Sequence, residues 1–288
     1  FDTDRFDNEI VINLIGTAGE PLLHPDFIPI VKHMRSKLPL SHLTIHTNGG
    51  VRNPTFFREL GNFLKDTRRH QIFFSIDGLE DTHGIYRIGV DYKKCMDNMK
   101  AAIDTGARVI WKFIEFEWNK HQVEEARQLA KDMGCDSFHV SSNVCTDKEM
   151  VDEMISAAHN KINKLTPPPP TWQHGHMEIP EFDYIDKKCM QEQGIFVDIE
   201  GRILPCCMYY SASIFKEKKK VFEKLMYSKE KDWNNLHVHS MDYVLSHPFW
   251  QELIYSFDND PNPLCIINCG ACKNNKAAYD VDVSQEEF

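Results

Sequence analysis

The sequence is short of positive charge, of long apolar runs and of secretion signals. Lys and Arg number 33 against 43 Asp and Glu, a net charge of −10. A chain that coats nucleic acid or an anionic membrane needs the opposite surplus, so neither partner is expected. The longest unbroken apolar run, Cys206 to Tyr210, is five residues, against roughly 20 for a bilayer-spanning helix. No basic stretch followed by an apolar one opens the chain, and a cytoplasmic protein is expected. What is present suffices for a core. Of 288 residues, 42% are hydrophobic and 11% aromatic, which excludes global disorder and suits one large domain or a domain with an appendage.

Short β-like runs alternate with helix-period segments through the first half. Strands are expected at 10–15, 43–46, 71–76, 108–116 and 137–141. Helices are expected at 26–38, 54–65, 92–104, 122–133 and 147–165. Five strands each followed by a helix imply a parallel sheet, open or curled into a barrel, because parallel neighbours need crossover connections. Pro167 to Pro170 form a rigid spacer, which sets domains at 1–165 and 181–288 with a linker at 166–180. Beyond it, 195–199 and 202–204 flank Glu200-Gly201 as a hairpin. A Lys/Glu-rich helix is expected over 214–231 and another over 243–256, broken near His247-Pro248. The KEKKK stretch, Lys216 to Lys220, reads as a solvated face.

Nine cysteines with six in the last hundred residues do not suit a disulfide framework in a chain of this length. Clustered thiolates in a reducing compartment more often hold soft iron or zinc. Cys95, Cys135 and Cys145 sit apart from that cluster and read as small buried hydrophobes.

Three glycine- and acid-bearing turns close successive strands: Gly16-Thr17-Ala18-Gly19-Glu20-Pro21, Thr47-Asn48-Gly49 and Ser75-Ile76-Asp77-Gly78. The carboxyl ends of parallel strands share one rim, where ligands bind. Glu20 could receive an ammonium group, and Asn48, Ser75 and Asp77 could bond hydroxyls or a carboxylate. Ordinary βα turns use the same residue types, so it is the succession of three that favours a site.

The segment GTAGEPLLHPDF resembles the GGEP-type motif of radical S-adenosylmethionine enzymes. SIDGLEDTHGIYRIGVDYKKCMDNMKAAIDTGA and WKFIEFEWNKHQVEEARQLAKDMG are similar to that family's fourth and fifth strand regions, with Asn119 where the family often has one. The resemblance covers residues 9 to 145. It implies an α/β fold, a partial (β/α)6 TIM-like barrel, with S-adenosylmethionine among Gly19, Glu20, Asn48, Ser75, Asp77 and Arg87. The spacing Cys189-x11-Gly201-x4-Cys206, then Cys265-x3-Cys269-x2-Cys272, resembles the SPASM and twitch extensions that carry auxiliary iron–sulfur clusters. A small C-terminal α+β domain of that type is implied, with one [4Fe-4S] cluster on Cys189, Cys206, Cys269 and Cys272 and Cys265 as reserve. Structural zinc suits the same thiolates.

Two features depart from the family. No cysteine precedes Cys95, so the Cys-x3-Cys-x2-Cys loop of the first barrel unit is absent and the chain is expected to be an N-terminal truncation. The second [4Fe-4S] cluster would come only with that segment, and the chain as written should not cleave S-adenosylmethionine reductively. Cys207 stands where sulfatase-maturing relatives carry Asp; it could be a spare ligand, a thiol near substrate or filler. His46 and His139 read as satisfied core or rim residues, and His174 and His176 as exposed loop.

Two functions remain open. An intact parent would use a 5′-deoxyadenosyl radical on a peptide or small-molecule substrate, with a reductant such as flavodoxin or ferredoxin. Alternatively, the fold serves as a non-catalytic binding module with a structural metal site. An unrelated hydrolase lacks any nucleophile–base pair.

Overall fold

The computed structural model describes residues 10–16, 19–67, 69–142, 184–185, 195–214, 216–227, 230–271 and 283–288. They fall into two compact units, the second lying between residues 170 and 280 and the first holding the rest.

The first unit is an α/β layer. Strands β1 (Val11–Leu14), β2 (His42–Thr47), β3 (Gln71–Ser75), β4 (Val109–Glu115) and β5 (Ser137–Ser142) are all parallel and neighbour one another in chain order. Helices α1 (Phe27–Lys37), α2 (Pro54–Leu64), α3 (His83–Tyr86), α4 (Tyr92–Ile103) and α5 (Val123–Met133) fill the connections. Each start has a local cause. Asn53 accepts from Phe56 N–H ahead of Pro54, and Asp91 accepts from Lys94 N–H at 2.7 Å.

Parallel strands in unbroken sequence, joined by right-handed crossovers, place every crossover helix on the same side. The core shows this. Leu43, Ile45, Ile72, Phe74, Val109, Trp111, Phe113, Phe138 and Val140 form one cluster with Val31 of α1, Leu60 of α2, Met99 of α4 and Ala126 of α5. Trp111 is completely buried and donates its indole N–H to Ile76 O at 2.8 Å, which removes the polar cost of burying it. Alternation then sends His46, Phe73, Ser75, Lys112 and His139 to the opposite face, which carries no helix among the described residues of this unit.

The five expected strands and four of the five expected helices lie within two residues of these bounds; the helix at 147–165 and the proline spacer lie outside the described residues. β10 (Val283–Glu287) escaped the sequence reading. It pairs antiparallel with β5, and its VSQEE sequence carries little strand propensity. Arg108 bonds Glu287 at 3.0 Å beside it.

The second unit contains β6 (Tyr184–Ile185), the antiparallel pair β7 (Phe196–Val197) and β8 (Ile203–Leu204), then α6 (Cys207–Ile214), α7 (Lys216–Tyr227), α8 (Met241–Ser246), α9 (Pro248–Asn259), α10 (Pro263–Cys269) and β9 (Gly270–Ala271), which pairs with β6. The expected hairpin is present, and Asp198 ties its turn by accepting from Glu200 N–H and Arg202 N–H, both at 2.9 Å. The expected break at His247-Pro248 separates α8 from α9, with His247 capping Phe249 N–H. The helix expected over 214–231 is present as α7, Lys216–Tyr227. α6 was missed because CMYYSASI has no polar face to give it a helical period. Trp233, Tyr209, Phe222, Leu253 and Phe257 make this unit's core. No helix among the described residues is long and apolar enough to cross a membrane.

Candidate functional site

The first constellation gathers at the carboxyl ends of β1, β2 and β3. A Cβ on Gly16 would lie 1.9 Å from Gly19 O, so the turn into Glu20 closes only on glycine. Glu20 then caps the short turn Pro21–Leu23. Its Oε1 accepts from Leu22 N–H at 3.2 Å and its Oε2 from Asn48 N–H at 2.8 Å, joining the ends of β1 and β2. Burial pushes the Glu20 carboxyl above its ordinary range, while the Asn48 and Leu22 amides, Thr47 and the more distant Arg87 charge pull it back. Asn48 spends its own side-chain oxygen on Gly50 N–H at 2.8 Å. Gly19 is exposed, with open space where a side chain would begin.

The end of β3 is different. Asp77 is fully buried; its Oδ2 accepts from Arg87 Nε at 2.6 Å and its Oδ1 from Ile114 N–H at 2.7 Å. Burial pushes this carboxyl up against the pull of Arg87. Asn119 completes the clamp, donating to Asp77 O and Ile114 O and accepting from Phe116 N–H. Gln122 accepts from Leu79 N–H and from the Thr82 hydroxyl and donates to Asp81. Gly78, at φ +129°, brings Thr82 and the His83 amide against its backbone, where a Cβ would lie 2.3 Å from the Thr82 hydroxyl. Both Asp77 oxygens thus have partners within the protein. Arg87 faces Asp77 directly and also acts on Glu20, so it links the two strand ends electrostatically. Ser75 is half-buried on the face opposite the crossover helices, in register with Lys112.

Lys112 was missed from sequence. The signal was available: a lysine inside the otherwise apolar run VIWKFI rarely occupies a buried strand without a function. His46 and His139 prove to flank it. His46 stacks on Phe73 at 4.6 Å, Phe73 meets His139 edge-on at 5.5 Å, and the Lys112 charge acts on both imidazoles.

The second constellation lies in the second unit. Cys206 and Cys269 pack against its core, Cys265 is buried within it, and Cys207 is exposed. Tyr209 lies 3.8 Å from Cys265 Sγ and accepts from Asn262 at 2.8 Å. Burial pushes the Cys265 thiol up to about 12, opposed by Tyr209 and Asn262 and reinforced by Cys206 and Cys269. Three thiols within electrostatic reach, in apolar surroundings, suit a soft iron or zinc centre, whose charge would favour the thiolates. Among the described residues no three His, Cys, Asp or Glu side chains surround a single metal point. Cys189 and Cys272 lie outside the described residues, as do Cys145, His174 and His176. Cys95 and Cys135 are buried as expected, Cys95 donating to Asn48 O at 3.2 Å.

No protein-family model matches the chain. Two curated proteins do. The tungsten-containing aldehyde ferredoxin oxidoreductase cofactor-modifying protein of Pyrococcus furiosus is 22% identical over 242 residues, 76% of this chain and 64% of its own length. The pre-heme d1 synthase of Dinoroseobacter shibae is 27% identical over 154 residues, 52% of this chain and 36% of its own length. The match therefore spans under two thirds of either relative. Among solved structures, anSMEcpe with bound AdoMet aligns at a TM-score of 0.53 and 12% identity, covering 96% of this chain and 76% of that one. Streptococcus suis SuiB, whose structures include complexes with S-adenosylmethionine and with the precursor peptide SuiA, aligns at 0.54 and 14%, covering 93% of this chain and 64% of that one. With a Gly-Glu-Pro turn at the end of β1 and five parallel strands in chain order, the chain shares the fold of anSMEcpe and SuiB.

Proposed function

We propose that this chain is a radical S-adenosylmethionine enzyme, or the coenzyme-binding part of one, acting on a peptide side chain. The observation that carries the reading is Glu20. Its carboxylate is held at the junction of two strand ends by backbone amides and lies largely out of water, where an ammonium group would be its natural partner. One-sided helix packing supports a sheet curled into a partial (β/α)6 barrel, since an unclosed face must otherwise find another cover. Ser75 and the Arg87 guanidinium would complete the polar contacts, Asn48 and Asp77 acting mainly by fixing the backbone around them. When bound and reduced, the coenzyme supplies a hydrogen-abstracting radical; the residues here bind it, orient it and exclude water.

In the second unit, Cys189, Cys206, Cys269 and Cys272, with Cys265 as alternative, would hold an auxiliary iron–sulfur cluster in a SPASM- or twitch-like domain. The peptide assignment draws on SuiB, and a small electron-transfer protein would serve as reductant. Calorimetric titration of S-adenosylmethionine into the full chain tests the core of this reading. Glu20→Gln should weaken binding at least about tenfold, the loss of one charge-assisted contact, and should lower the melting temperature as well, because an NH2 replaces one of the two oxygens that accept backbone amides. No binding by the unaltered chain would overturn it.

A further inference from the structure

We propose that the face of the sheet opposite helices α1, α2, α4 and α5 anchors a substrate carboxylate, with Lys112 supplying the charge and His46 and His139 the surrounding hydrogen-bonding groups. This deepens the function proposed above and rests on it for the word substrate.

The argument begins with register. Ser75 of β3 pairs with Lys112 of β4, and Lys112 with His139 of β5, so the three stand in one row across adjacent strands and on one face. His46 of β2 pairs with Phe73 one row below. The ring stack His46–Phe73–His139 gives this row an apolar floor. Gln285 of β10 pairs with His139 at its far end. A cation and two imidazoles therefore gather around one aromatic ring, with Ser75 at the coenzyme end of the row.

Lys112 is half-buried, and among the described residues its ammonium makes neither an ion pair nor a hydrogen bond; Asp77, whose carboxylate feels its charge, is already paired with Arg87. A partly desolvated ammonium without a contacting counter-ion is costly, and binding an anion recovers that cost. Burial, reinforced by Lys112, pushes His46 down to about 4 and His139 below its ordinary value, so both rings are neutral at pH 7. The row then carries a single positive charge with neutral donors beside it, which matches a monoanion. A phosphate dianion would call for Arg forks or a second cation. The row also differs in depth from the rim. Lys112 precedes Ile114, whose amide meets Asp77, by two residues, about 6–7 Å along the strand. The anchor thus lies deeper than Glu20 and Arg87.

The test follows His46 and His139 ring resonances in the full chain while N-acetylglycine, its neutral twin N-acetylglycinamide and inorganic phosphate are titrated in turn. The acid should perturb both rings and saturate, and the amide should not. Lys112→Met should weaken the acid at least about tenfold, Lys112→Arg should restore part of the loss, and S-adenosylmethionine affinity should hold within about twofold in both. Equal responses to acid and amide, tighter binding of phosphate, or an unaltered response in Lys112→Met would each overturn the anchor. Acid binding without S-adenosylmethionine binding would keep the anchor and sink the function proposed above; the converse would sink the anchor alone.

Discussion

Asp77 was legible in the sequence as a residue that matters, but its partner was not. A carboxylate after a strand reads as a ligand group, whereas the structure aims it at Arg87 and at the Ile114 amide. Sequence spacing of ten residues cannot show that a loop turns back to present a guanidinium. The consequence is energetic. Asp77→Ala leaves Arg87 unpaired and an amide orphaned, and should cost about 3–5 kcal/mol in urea denaturation; removing Arg87 as well should recover part of that in a double-mutant cycle. His83 gives a second prediction at this scale. It is completely buried, and neither ring nitrogen has a hydrogen-bond partner among the described residues. Burial pushes it down to about 4. The unfolded chain therefore binds a proton here before the folded one does. Its contribution is intact above about pH 6.5 and drains away as the pH falls toward 4, by about 1–3 kcal/mol. His83→Phe should flatten that slope in denaturation curves recorded between these limits.

Elements of the first unit could be read closely because their patterns are clean. β2, β3 and β4 alternate so that alternate residues enter one cluster, and α2 and α5 each present one apolar stripe. The same alternation, followed across register, is what exposes the Lys112 row, but it takes pairing to see it. No single strand announces that Ser75, Lys112 and His139 are neighbours. α6 and β10 were lost for opposite reasons, one too apolar to show a period and one too polar to resemble a strand. Core positions on α2 should behave accordingly. Leu60→Ala removes a completely buried side chain and should cost about 2–5 kcal/mol by chemical denaturation. Arg108→Ala, which breaks the pair with exposed Glu287, should cost no more than about 1 kcal/mol.

On the scale of the whole molecule, sequence showed two regions of different character because the cysteines and the strand–helix alternation occupy different stretches. It could not show which thiols meet, since convergence depends on packing. Cys206 and Cys269 come within electrostatic reach of Cys265 through the helices around Tyr209. Anaerobic loading with iron and sulfide, or with zinc, should raise the melting temperature reported by Trp233, and the gain should vanish in Cys206→Ala and Cys269→Ala. Mass action requires it, because metal bound only by folded protein stabilises the fold.

The pairing of β10 with β5 has a consequence for how the molecule comes apart. Chain that has left the sheet at β5 returns to it at Val283, so the second unit is a loop inserted between two members of one ladder. A protease nick inside that unit would sever the backbone yet leave the tail fragment hydrogen-bonded to its sheet. Stripping the tail away would bare the flank of β5 to whatever strand came next, and self-association would replace a lost intramolecular seam.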